Sequence, residues 1–129
     1  MRILLMDDND LVRMSLSRML IVKGYETDVA KDGSQAIDNF IQSKSIGNTP
    51  DLVILDLTVP GGMGAIETVK RLHKIEPELK AMVISGYTED PIMTNYRDFG
   101  FCAAIKKPVT CDEMSAIISK AMFETKTAR

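Results

Sequence analysis

The sequence predicts a doubly wound α/β fold, a parallel sheet with helices on both faces, on the strength of three observations. Short apolar runs recur at Ile3-Leu4-Leu5-Met6, Leu52-Val53-Ile54-Leu55, Ala81-Met82-Val83-Ile84 and Ala103-Ala104-Ile105-Lys106. Each is followed by polar or turn residues, as buried strands are. Segments with helical spacing of apolar residues separate these runs, and dense strand–helix alternation gives a parallel sheet wrapped on both sides. Finally, two of the runs lead straight into aspartates, Asp7-Asp8 and Asp56. The carboxyl edge of such a sheet is where ligands bind.

The elements follow in order. Residues 10–23 place Leu11, Met14, Leu16, Met19, Leu20 and Val22 at roughly helical intervals, with Gly24 as a stop. Residues 26–30 alternate polar and apolar, as an edge-side strand does. Asp32-Gly33 turns the chain, and Ala36, Ile37, Phe40 and Ile41 give the second helix its apolar stripe. A loop over residues 45–50 precedes the central strand. Ile66, Val69, Leu72 and Ile75 mark the third helix, closed off by Pro77. A shorter, less regular helix is predicted over residues 91–99, ending near Gly100. The last helix opens on Thr110-Cys111-Asp112-Glu113, a capping box, and buries Met114, Ile117, Ile118 and Met122.

Composition narrows the function. A chain of 129 residues fills one core and is too short for two ordinary domains. Its net charge of -2 and the lack of a basic run longer than Lys106-Lys107 argue against direct nucleic-acid binding. No stretch reaches the ~20 apolar residues of a membrane span, and no signal peptide is expected. Cys102 and Cys111 form no close-spaced motif, so idle thiols in a cytoplasmic setting are the simpler reading.

Asp7, Asp8 and Asp56 are expected to converge on one small pocket. Three carboxylates so close repel one another and need a cation or protons to persist. Oxygen donors without His or Cys favour a hard ion such as Mg²⁺. Each acid also has a plainer reading: Asp8 or Asp10 could cap the first helix, and Asp56 could be a turn residue before Pro60-Gly61-Gly62. A cap explains one acid, not two in succession facing a third. Leu55-Asp56-Leu57 is moreover an apolar setting in which an uncompensated carboxylate is costly. Ser85 and Lys107 end the third and fourth of these apolar runs. His73 is expected on a solvated helix face, away from the pocket.

The order Asp-Asp, Asp, Ser, Lys-Pro on successive strand ends resembles the receiver domain of two-component response regulators, over about residues 2–123 of a single domain spanning 1–129. That resemblance implies a flavodoxin-like fold of five parallel strands in the order 2-1-3-4-5, with the first and last helices on one face. It implies phosphorylation of Asp56 by a phosphohistidine, the donor being a histidine kinase or histidine phosphotransfer domain. Mg²⁺ would be held by Asp8, Asp56 and the backbone carbonyl near Thr58, with Asp7 acting through water. Ser85 and Lys107 would bind phosphoryl oxygens, and Lys107-Pro108 would be a cis bond. Apart from assisting its own phosphorylation and dephosphorylation, such a domain is not an enzyme.

Finer features resemble the C-terminal receivers of hybrid sensor histidine kinases: Gly62-Met63-Gly64 after Asp56, Ser85-Gly86-Tyr87-Thr88-Glu89-Asp90-Pro91, and Tyr96-Arg97-Asp98-Phe99-Gly100-Phe101. Ala104 stands where many receivers carry an aromatic switch, which leans towards phosphorelay. Thr58 and Tyr87 border the approach of hydrolytic water, Tyr87 either shielding it or facing solvent. Two alternatives come from other classes. A haloacid-dehalogenase-like aspartyl phosphatase needs an acid two residues after its nucleophile, where this chain has Thr58. A flavodoxin-like electron carrier needs a phosphate-binding first loop, where this chain has Asp7-Asp8-Asn9-Asp10.

Overall fold

The structure, a computed structural model, describes residues 1–57, 63–87 and 89–124. The elements run β1 (Arg2–Met6), α1 (Asp10–Val22), β2 (Glu26–Ala30), α2 (Gly33–Ser45), β3 (Leu52–Asp56), α3 (Ala65–Ile75), β4 (Lys80–Ser85), α4 (Pro91–Thr94) with a 3₁₀ turn (Tyr96–Phe99), β5 (Ala103–Lys106) and α5 (Cys111–Glu124). All strand pairs are parallel and the order is β2-β1-β3-β4-β5. This is the flavodoxin-like arrangement the sequence predicts.

Continuous apolar runs make β1, β3 and β4 central, because only strands covered on both faces can carry such runs without exposing them. Successive side chains alternate between two cores. Leu4, Met6, Val53, Leu55, Ala81 and Val83 pack under α2, α3 and α4 with Phe40, Val69, Leu72 and Met93. Ile3, Leu5, Leu52, Ile54, Met82, Ile84 and Ile105 pack under α1 and α5 with Leu16, Leu20, Met114 and Ile118. The first and last helices therefore share one face. Edge strand β2 is tied to β1 by Arg2, which pairs with Glu26 at 2.7 Å and Asp28 at 2.8 Å.

Several local expectations hold. The capping box forms reciprocally: the Glu113 N–H donates to Thr110 Oγ1 at 3.1 Å, and the Thr110 N–H to Glu113 Oε1 at 2.9 Å. The fourth helical segment is irregular, four α-helical residues followed by a 3₁₀ turn that ends at Gly100 with φ +96°.

Others are corrected. In α1, Leu16 and Leu20 are buried, whereas Leu11, Met14 and Val22 stand in solvent; so does Ile41 of α2. Neither Asp8 nor Asp10 caps α1, since Asn9 Oδ1 accepts the Val12 N–H at 3.0 Å. His73 is half-buried rather than solvated: Nε2 sits 2.9 Å from the Leu79 carbonyl oxygen, and the ring packs beside Gly100. A side chain at Gly100 would meet that ring at 3.4 Å.

Candidate functional site

Strand register assembles the site. Met6 lies opposite Leu55, so Asp7 leaves β1 level with the end of β3, where Asp56 is the final residue. Asp56 is in register with Ile84, which puts Ser85 one step further along. Ser85 is in register with Lys106, and the Lys107 N–H donates to the Ser85 carbonyl at 2.9 Å. Four neighbouring strand ends thus converge on one pocket.

The burial of its polar groups is unusual for charged side chains. Asp7 is fully buried, Asp56 is 4% exposed and Ser85 1% exposed, while Asp8 lies at the open side. One carboxylate oxygen from each of Asp7, Asp8 and Asp56 falls within 4.8 Å of the others. Lys107 Nζ is 2.8 Å from Asp7 Oδ2 and 3.5 Å from Asp56 Oδ1. Its ammonium offsets part of the repulsion, which buried carboxylates cannot sustain uncompensated. The peptide Lys107-Pro108 is cis, as the resemblance implies.

Asp7 is held on several sides. The Asn9 N–H donates to its Oδ1 at 3.0 Å, and its own N–H donates to the Ala30 carbonyl at 3.0 Å. The Arg13 guanidinium donates to its backbone carbonyl at 2.9 Å. Ser85 Oγ accepts the Tyr87 N–H at 2.9 Å, which leaves the hydroxyl proton able to donate elsewhere. The Tyr87 side chain is 67% exposed, so the ring faces solvent instead of covering the pocket. Thr58, whose carbonyl the resemblance makes a metal ligand, lies outside the described residues, as do residues 59–62.

The donor set suits a hard divalent cation. It is all oxygen, and its three acids exceed the single charge of Lys107. With Asp8 open to solvent, an ion held there could keep several waters, as Mg²⁺ prefers. Sequence reasoning placed Asp7, Asp8, Asp56, Ser85 and Lys107 together, and the structure brings all five to the same edge. It did not find Arg13, whose signal was its position one helical turn after the acidic loop.

The acid cluster would repel a nucleotide or flavin phosphate at the first strand end, so the fold and pocket define a doubly wound domain whose ligand edge suits a cation. The family model of the response regulator receiver domain matches residues 3–119. Sporulation initiation phosphotransferase F of Bacillus subtilis is 30% identical over 119 residues, covering 92% of this chain and 91% of that protein. Sensor kinase CckA of Brucella abortus is 30% identical over 125 residues, which is 95% of this chain and 12% of that protein. The crystal structure of NtrX from Brucella abortus matches with a TM-score of 0.86 at 26% identity, covering 99% of this chain and 28% of that one. The chain belongs to the response regulator receiver domain family. The phosphatase and electron-carrier alternatives are not favoured.

Proposed function

We propose that Asp56 is the phosphoacceptor of this receiver domain and that its phosphoryl group comes from the phosphohistidine of a histidine kinase or histidine phosphotransfer domain. The observation that carries this reading is the placement of Lys107 Nζ between the buried carboxylates of Asp7 and Asp56. An ionised carboxylate is a competent nucleophile for phosphorus and forms an acyl phosphate. Phosphoryl transfer is mostly positioning and charge neutralisation. In this reading an Asp56 carboxylate oxygen attacks phosphorus in line with the P–N bond of the phosphohistidine, which breaks as the acyl-phosphate O–P bond forms and the imidazole leaves protonated; Lys107 moves its ammonium towards one phosphoryl oxygen and the Ser85 hydroxyl donates to another. Asp8 and Asp56 would hold Mg²⁺, with Asp7 acting through water and the Thr58 carbonyl completing the set. When bound, Mg²⁺ would neutralise charge on the transferred group.

The route for a protein donor is supported by the surface beside Lys107. Leu11, Val12, Ser15, Met19, Pro108 and Val109 line a groove of about 410 Å³ whose wall includes Lys107 itself. Apolar side chains contiguous with the reacting centre suit a helical partner presenting its histidine to Asp56. Relatives set the domain both alone and within a kinase: the chain spans nearly all of phosphotransferase F but a small part of CckA. The loop resemblances noted above favour the kinase-linked, phosphorelay setting. One domain with a core over residues 2–123 is the boundary supported by the family match and the extent of α5.

Incubation with a small phosphodonor and Mg²⁺ is expected to add one acid-stable, base-labile phosphoryl group, located by mass spectrometry at Asp56. Modification that persists in Asp56→Asn, or that appears on His73, refutes the assignment.

A further inference from the structure

We infer that Arg13 is a positioning residue for the cation site, setting the orientation of the peptide that carries Asp8. The inference rests on the metal reading above and adds to it a residue outside the acid cluster. Asp7 is fixed independently of Arg13: its carboxylate takes the Lys107 ammonium and the Asn9 N–H, and its backbone N–H is bonded to Ala30. Asp8 differs. It is exposed, and the hydrogen bonds among the described residues include none to its carboxylate. Its aim therefore depends on the peptide plane between residues 7 and 8.

The carbonyl of that plane is held by Arg13. Arg13 Nη1 donates to the Asp7 carbonyl oxygen at 2.9 Å, while Nη2 donates to Asp10 Oδ1 at 2.6 Å. The backbone N–H of Arg13 donates to the Asn9 carbonyl at 2.8 Å. One residue thus grips the loop at positions 7, 9 and 10, on both sides of Asp8. The planar guanidinium can do this because its donors form a rigid fork, which an ammonium lacks. The side chain is 20% exposed, so the grip is sheltered from full competition by water.

Charge alone predicts the opposite effect, which makes the inference testable by sign. Arg13 is a cation beside a cation site, so its removal should strengthen Mg²⁺ binding if charge were its whole influence. Positioning predicts that removal weakens binding, as loss of partners that orient metal ligands does, by about tenfold.

The experiment titrates Mg²⁺ into wild type, Arg13→Gln, Arg13→Lys and Asp8→Asn at fixed ionic strength, following amide resonances of residues 7–10. Thermal unfolding without Mg²⁺ confirms that each variant is folded. Arg13→Gln should bind about tenfold more weakly. Arg13→Lys, which can reach the Asp7 carbonyl but cannot bridge to Asp10, should fall between it and wild type. Equal or tighter binding by a folded Arg13→Gln overturns the inference while leaving the metal reading intact, provided Asp8→Asn is weakened. Undiminished binding by Asp8→Asn overturns the metal reading and this inference with it.

Discussion

Helices α1 and α3 are of similar length and lie on opposite faces of the same sheet, yet they are finished differently. In α3, Ala65, Thr68, Val69 and Leu72 are buried, and Glu67, Lys70, Arg71 and Lys74 take the solvent side. The Glu67–Arg71 pair at 2.6 Å completes that outer face. In α1 only Leu16 and Leu20 are fully buried, while Leu11 is 78% and Val22 77% exposed. Leaving such side chains in water forgoes the ~1.5–3 kcal/mol that burying each would contribute. The α3 face is spent on stability, whereas the α1 face keeps apolar surface next to Lys107. If the proposed phosphohistidine donor docks beside Lys107, a helix at the reacting edge is shaped by what approaches it as well as by the core.

The largest effect should follow from hollowing the α3 side. Leu72 is fully buried, so Leu72→Ala is expected to cost about 2–5 kcal/mol in denaturant unfolding. Phosphorylation of the folded fraction by a small donor should be unchanged. A loss below that range would mean that the core under α3 collapses readily.

Next comes the α2–α3 contact. A Cβ at Gly33 would collide with Thr68 Oγ1 and lie 2.8 Å from the Met63 carbonyl oxygen. Gly33→Ala should therefore destabilise by about 1–3 kcal/mol through overpacking. The matched Gly33→Ala/Thr68→Ala variant relieves the closest contact and should recover part of that loss.

On α1 the pattern should invert. Leu11→Ser combined with Met14→Glu should leave unfolding free energy within about 0.5 kcal/mol. Transfer from a phosphohistidine donor protein should slow by about tenfold, a change of ~1.4 kcal/mol, with the small-donor rate preserved. Equal slowing with both donors would place the effect on the pocket and break the contrast.

The smallest effect concerns the tie between α1 and α5. Lys23 Nζ meets Asp112 at 2.6 Å at the surface. Hydrogen bonding to Lys23, helped by its charge, lowers the Asp112 pKa below 3.8, and the same bond raises that of Lys23 above 10.5. The contribution is thus present between those values. It is lost as pH falls through the lowered Asp112 pKa, and again as pH rises through the raised Lys23 pKa. Asp112→Asn should lower the unfolding temperature slightly at neutral pH and leave it matched to wild type in strong acid. Added salt should shrink the neutral difference, because both groups are exposed.

How much of this was legible depended on what each pattern encodes. Strands covered on both faces announce themselves as unbroken apolar runs, so β1, β3 and β4 and the residues ending them were readable directly. Apolar spacing in α1 correctly indicated a helix but could not say which side chains a neighbour covers. Leu11, Met14 and Val22 share that spacing with Leu16 and Leu20, yet stand outside. The cap of α1 was hidden among four consecutive polar residues, each able to accept from an N-terminal N–H; only the geometry singles out Asn9. His73 sits between Leu72 and Lys74, where spacing suggests solvent, but the turn at Gly100 closes over it. Arg13 was missed for a different reason: its spacing from Asp10 hints at the ion pair, but its contact to the Asp7 main-chain carbonyl leaves no trace in the sequence.

The ion pair between Lys107 and Asp7 joins residues 100 positions apart, and the lysine arrives on the last strand of the sheet. During synthesis, a chain emerging from the ribosome exposes Asp7, Asp8 and Asp56 before Lys107 has left the exit tunnel. In the proposed reading, any step that needs the Lys107 ammonium therefore waits until β5 has joined the sheet and the fold is complete.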